Sequence, residues 1–177
     1  MADARAPRPG PPPLRPFGLV LHHDGRFTHE GVPILHARLR AACDRSVRWL
    51  PDEACFVVQL GRFRGQIEVE EAAFFVRDYD AASGELRLSD ASRELLDPAT
   101  LRLSPHDGAL LCAVKRELAP PEGLLARFLH AAQADLLAAV EGPEQAPRLR
   151  IGGRSLPLPP LLAASEGPEA PPANTPN

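Results

Sequence analysis

The chain is short of nearly everything that marks a common chemistry at the level of sequence. Of its 20 basic residues only Lys115 is a lysine, and basic and acidic residues are interspersed to a net charge of −3. That leaves no basic stripe to neutralise a phosphate backbone, so nucleic acid is not an expected partner. The three cysteines, Cys43, Cys55 and Cys112, form no Cys-x-x-Cys pair and no bridge framework. Reduced thiols are expected, not a zinc knuckle or a disulfide scaffold. No segment approaches the roughly 18 apolar residues of a membrane-crossing helix. Arg5, Arg8 and Arg15 stand in proline-rich sequence where a secretion signal needs an apolar stretch, so no membrane partner and a cytoplasmic location are expected. His-Glu-x-x-His and Gly-x-Ser-x-Gly are both missing, so Ser46, Ser89 and Ser104 have no elbow to stand on. Gly61-x-x-x-Gly65 lacks the Lys-Ser/Thr of a phosphate loop and joins two strands. No cofactor is expected.

What is present is an ordinary globular composition, 44% hydrophobic and 24% charged, in a length suited to one domain or two small units sharing a core. Both ends are rich in proline and unable to bury enough apolar surface to offset the entropy of ordering. Residues 1–16 and 163–177 are therefore expected to be disordered tails. Between them an N-terminal unit with an extra hairpin spans 17–100 and a C-terminal unit spans 101–162.

The stretch from Leu21 to His36 organises the rest. Asp24-Gly25 is the dipeptide of a two-residue type I′ turn, which sets His22 opposite Phe27 and Val20 opposite His29, with both histidines on one face. Gly31 marks a second turn, and Pro33 suits the first position of a helix, where its missing N–H is no loss. Apolar spacing at Leu35, Leu39, Ala42, Cys43, Ser46 and Leu50 extends that helix to about Leu50. Cys55 to Leu60 and Gln66 to Glu71 read as strands, the second with Ile67 and Val69 inward and Glu68 and Glu70 outward. Phe74 to Tyr79 and Glu85 to Ser89 form another hairpin, and Ser92 to Leu96 a helical turn. Ala109 to Lys115 is a continuously apolar central strand. A second long helix is expected from about Glu122 to Glu141, leaving Arg127 and His130 on its surface. A small hairpin closes around Gly152-Gly153.

His-Asp-Gly occurs twice, at residues 23–25 and 106–108, each time before a strand. The order of elements around the two copies points to an internal duplication. The expected architecture is α+β: mainly antiparallel sheets with two long helices, in two related strand-turn-strand-helix-strand-strand halves sharing a core.

Two motifs then resemble a bacterial family, domain-of-unknown-function family twelve eighty-five. Asp24-Gly25-Arg-Phe-Thr-His29-Glu-Gly31-Val-Pro33-Ile34 is similar to its DG-x-(aromatic)-x-H-x-G-x-P-I, and Ile67-Glu-Val69-Glu70-Glu71-Ala-Ala-Phe74 to its I-x-VED-x-PF. The resemblance runs from about Phe17 to Val140. It implies a two-part α+β protein built from related motifs, with a signal-transduction or regulatory binding role and no established ligand. Glu71 stands where the family has Asp, and Ala73 where it has Pro. Residues 60–64 replace a Thr-Pro-x-Glu-Lys stretch with Leu-Gly-Arg-Phe-Arg, so a binding role resting on that Thr and Glu would be lost here.

The residues themselves favour a non-catalytic binding or regulatory module, taking a small anionic ligand or a protein partner. Arg62 and Arg64 supply cationic groups with Glu68 and Glu70 beside them, and His29 is a further candidate for the ligand. Asp24, Gly25, Gly31, Pro33 and Phe74 read as structural. No residue is assigned to catalysis or to a metal. A hydrolase or metal-dependent enzyme using His22, His29 and His36 is the alternative, and a homodimer subunit presenting an apolar face is a third reading.

Overall fold

The computed structural model describes residues 14–61 and 63–159. The first sheet is built from β1 (Arg15–Leu21), β2 (Phe27–His29), β3 (Val32–Pro33), β4 (Val47–Leu50), β5 (Cys55–Leu60) and β6 (Phe63–Val69), with helix α1 (Ala37–Ser46) between β3 and β4. The second holds β7 (Phe74–Asp80), β8 (Glu85–Leu88), β9 (Arg93–Leu95), β10 (Arg102–Leu103), β11 (Leu110–Val114) and β12 (Leu124–Phe128). Helix α2 (His130–Ala138) follows, then a three-stranded sheet of β13 (Val140–Glu141), β14 (Arg148–Ile151) and β15 (Arg154–Pro157). The tails assigned to 1–16 and 163–177 fall outside the described residues, apart from the stretch where β1 begins.

The spatial orders are β3-β2-β1-β6-β5-β4 and, read from its other edge, β9-β8-β7-β12-β11-β10. Each sheet is two three-strand meanders joined through a parallel pair, β1 on β6 and β7 on β12, with antiparallel pairing elsewhere. The protein is thus α+β with two halves of the same strand order. The shared strand order runs over residues 15–69 and 74–128. The two His-Asp-Gly turns occupy different slots within them, the first joining β1 to β2 and the second joining β10 to β11. One contiguous core spans both sheets, with Leu21 and Phe27 from the first, Phe74, Leu86 and Phe128 from the second, and Leu136 from α2. Burying each of the phenylalanines stabilises the fold by about 2–3 kcal/mol. Phe56 meets Phe74 edge to face at 6.5 Å across the junction. Asp44 of α1 takes a 2.7 Å bond from Arg77 of β7.

Several local expectations are corrected. Leu21 pairs with Phe27 and Leu19 with His29, one step from the expected register. The reason is the turn: Gly25 donates to the His22 carbonyl at 2.9 Å and takes φ +81, a three-residue loop built on a type I turn with a left-handed glycine. A one-residue slip moves every side chain to the other face, so His22 and His29 do not share one. The two-residue turn with both φ positive is instead Glu30-Gly31, at 49 and 80 degrees. It returns the chain into β3, where Pro33 lies on an edge strand and its missing N–H is tolerated. α1 starts only at Ala37, with His36 Nδ1 capping the Leu39 N–H at 3.3 Å. It stops at Ser46 because Val47 and Trp49 alternate with Arg48 in β4, pairing along β5. Residues 93–95 are strand β9 rather than a helical turn.

The largest correction is the second helix. Leu124 to Phe128 forms β12, held between β11 and β7, and only His130 to Ala138 is helical. Leu, Ala and Arg all favour helices, yet a strand flanked on both sides and covered on both faces gains more from pairing and burial than propensity takes away. Arg127 therefore lies in the interior of a sheet, not on a helix surface.

Candidate functional site

Three connections meet where the two sheets adjoin: the β1–β2 turn, the β6–β7 link and the β10–β11 turn. From the first, the His23 backbone N–H donates to Glu70 Oε2 at 2.7 Å, and His23 Nδ1 lies 2.8 Å from the same oxygen. His22 Nδ1 approaches it at 3.4 Å. These contacts, led by the His23 backbone and side-chain bonds, hold the Glu70 carboxyl down to about 2. Because that value is depressed in the folded chain, the stabilisation is present above the ordinary carboxyl range and fades as pH falls toward about 2. From the β10–β11 turn the His106 ring stacks on His23, with centroids 4.6 Å apart and planes inclined by 10°.

Beside the imidazoles lies an ionic cluster built on a buried Arg127–Glu71 pair. Arg127 Nη1 donates to Glu71 at 2.9 Å, with 7% and 6% of the two side chains exposed, and its Nη2 donates to Asp107. The Ser104 hydroxyl gives Glu71 another bond at 2.6 Å. The hydrogen bond from Arg127 is the chief reason the Asp107 carboxyl sits below its ordinary range. A recess of about 200 Å³ opens beside the cluster, lined by Asp24, Asp107, Arg127, His130 and Gln133.

A second concavity, of about 590 Å³, lies between the β2–β3 edge and α1. Phe17, Leu19, Ile34, Leu39 and Leu60 make its walls, and His29, Glu30 and His36 also line it. Its floor is Cys43, the one buried residue of α1. Leu35 is 84% exposed, Val32 67% and Leu39 42%. Of the apolar stripe read from the sequence, only Leu39, Ala42, Cys43 and Ser46 lie on α1, with Leu35 before it and Leu50 in β4, and Leu35 and Leu39 border an open cleft.

The residues singled out from sequence separate. His29 lines the cleft with its ring 6.1 Å from Phe17, and His36 is spent in part as a helix cap. His22 turns to Thr28, its Nε2 3.0 Å from Oγ1. Arg64 lies within β6 and reaches Glu53 at 3.4 Å, while Glu68 is exposed. Arg62 lies outside the described residues. Asp24, Gly25, Gly31 and Pro33 occupy turn and edge positions, and Phe74 is 1% exposed in the core. What sequence reasoning missed is His23, His106, Glu71 and Arg127. The one available signal was the repeated His-Asp-Gly, which marks two turns that meet rather than two equivalent positions.

Among solved structures, a DUF1285 family protein from Silicibacter pomeroyi superposes with a TM-score of 0.58 at 18% identity, over 83% of this chain and 82% of that one. The chain has the DUF1285 fold. A second DUF1285 protein, from Shewanella baltica, aligns at a TM-score of 0.46 and 12% identity, over 68% of this chain and 91% of that one. No protein-family model and no curated protein matches the sequence. Among the described residues no helix is long and apolar enough to cross a membrane.

Proposed function

We propose that the chain is a non-catalytic binding module whose ligand is a small molecule with an apolar body and an acidic head. The observation that carries this reading is the open cleft of about 590 Å³, apolar on its walls and bordered by His29 and His36. A pocket of that size with a few convergent polar groups is the ordinary form of a ligand site. The cap chemistry adds a donor: because His36 Nδ1 accepts from Leu39, the proton of the neutral ring sits on Nε2. Glu30 in the same lining disfavours a fully anionic ligand and suits one whose charge is confined to one end. The resemblance to a family for which a regulatory binding role has been considered is compatible with a module of this kind.

Calorimetric titration with decanoate, decan-1-ol and decylammonium tests it. The acid is expected to bind most tightly, and His29→Ala to weaken it about tenfold, the worth of one charge-assisted hydrogen bond. Leu39→Asp, at a half-exposed position, should abolish binding without unfolding the chain. Equal affinity for acid and alcohol, or none for either, overturns the reading.

One observation favours an enzyme instead. Thr28 Oγ1, His22 and Glu70 lie in series at 3.0 and 3.4 Å, the order of a nucleophile, a base and the carboxylate that orients it. Glu70 is, however, more closely held by His23. Turnover of short nitrophenyl esters that disappears in Thr28→Ala would favour the hydrolase. Turnover unchanged by that substitution would remove it.

A further inference from the structure

The two His-Asp-Gly turns have a common construction. In each, the aspartate accepts a backbone N–H two residues on, Arg26 to Asp24 at 3.0 Å and Ala109 to Asp107 at 3.2 Å. The glycine then takes a left-handed φ, +81 at Gly25 and +73 at Gly108. Aspartate and glycine build the turn, and the histidine is left to project from it. One turn belongs to each sheet, and they face each other over Glu70. His23, Glu70 and His106 each offer one donor atom, and the three atoms lie within 4.8 Å of one another.

We propose that His23, His106 and Glu70 form a binding site for a divalent transition-metal ion of the zinc class, bridging the two sheets. Two imidazoles and one carboxylate are the protein donor set of open zinc sites, which keep a fourth position for water or a ligand. Zinc bonds to these donors of about 2.0–2.1 Å in a tetrahedral arrangement put neighbouring donors about 3.3 Å apart. Reaching that from the present spacing takes small rotations of side chains at the surface. Glu70 is already fixed by the His23 backbone N–H, and Asp24 and Asp107 pin the two turns. His106 brings a ring with no hydrogen-bond partner among the described residues, so no bond inside the protein is broken when it turns to the ion. Ionised Glu70 offsets one of the two positive charges. The recess lined by Asp24, Asp107 and Arg127 lies beside the histidine turns.

The test is zinc titration of the full chain by calorimetry, with a Cys55→Ser background to remove the partly exposed thiol. Wild type is expected to bind one equivalent. His23→Ala, His106→Ala and Glu70→Gln should each weaken binding by more than about tenfold, the scale on which metal sites respond to loss of a coordinating or supporting group. His29→Ala, outside the group, should leave it unchanged. His106 is exposed, so its substitution leaves the fold intact, as far-ultraviolet circular dichroism would verify. Cobalt should give visible bands in wild type that His106→Ala removes, a signature that loss of mere packing would not produce. Unchanged zinc affinity in His106→Ala, or equal weakening in His29→Ala, overturns the site.

Discussion

Arg127→Met should cost about 3–5 kcal/mol of stability, read as a lowered midpoint in urea unfolding with an unchanged slope. The magnitude follows from what remains behind. Glu71 is 6% exposed and would keep, among the described residues, the Ser104 hydroxyl as a partner, while Asp107 would lose the guanidinium that holds its carboxyl low. An uncompensated carboxylate in that position is the expensive product; loss of the arginine itself is not. The double variant Arg127→Met with Glu71→Gln should therefore recover much of the loss, because the orphaned charge is gone. Arg127→Lys is expected to lie between, since one ammonium cannot reach Glu71 and Asp107 with the two arms of a fork. A double variant no more stable than Arg127→Met alone would show that packing, not charge compensation, sets the cost.

This arginine also shows what in the fold was legible from sequence. Hairpins marked by local turn chemistry could be read: Asp80 to Gly84 and Gly152-Gly153 lie where their composition puts them. The inward and outward alternation of Ile67, Glu68, Val69 and Glu70 also holds, because one face of β6 is buried and the other wet. Element type failed where nonlocal pairing decides. Leu124 to Phe128 carries helix-favouring residues and becomes a strand because β7, some fifty positions earlier, offers it a parallel edge. No local signal encodes that edge. Register failed at Asp24-Gly25 for a smaller reason, since the same dipeptide serves a two-residue and a three-residue loop, and one residue of difference reverses every face.

The site was less legible than the fold, for a related reason. Its members come from three connections and from β12, so no spacing along the chain brings His23 near His106 or Glu71 near Arg127. The second glutamate of the Glu70-Glu71 pair turns inward to Arg127 while the first faces the imidazoles. A strand face read by alternation alone made Glu68 and Glu70 the notable pair, whereas the ladder ends at Val69 and the next residues follow the link between sheets. Glu71, one methylene longer than an aspartate, reaches the buried guanidinium at 2.9 Å.

Lys115→Met carries the other large effect, about 3 kcal/mol at neutral pH. The only lysine of the chain takes a left-handed backbone conformation at φ 51, with its side chain 11% exposed. Its ammonium reaches Asp90 at 3.0 Å, Glu94 at 3.4 Å and the Ser92 hydroxyl at 2.9 Å, and lies 4.9 Å from the centre of the Phe74 ring. Three N–H groups thus meet three oxygens, and methionine would fill the volume while leaving Asp90 buried and charged. Burial by itself raises the Asp90 carboxyl, but hydrogen bonds from Ser92 and Lys115 and the lysine charge outweigh it and bring it below its ordinary value. In the wild type that depressed value stabilises the fold above the ordinary carboxyl range and is lost as pH falls through it. In Lys115→Met the bonds from Ser92 remain but the lysine hydrogen bond and charge are gone, so Asp90 should take up a proton more readily than in the folded wild type. The deficit relative to wild type should accordingly be largest near neutrality and shrink as pH is lowered through the carboxylate range. Urea unfolding of both proteins across that range is the measurement. A deficit that does not vary with pH would assign the role of Lys115 to its aliphatic stem and the Phe74 contact, not to its charge.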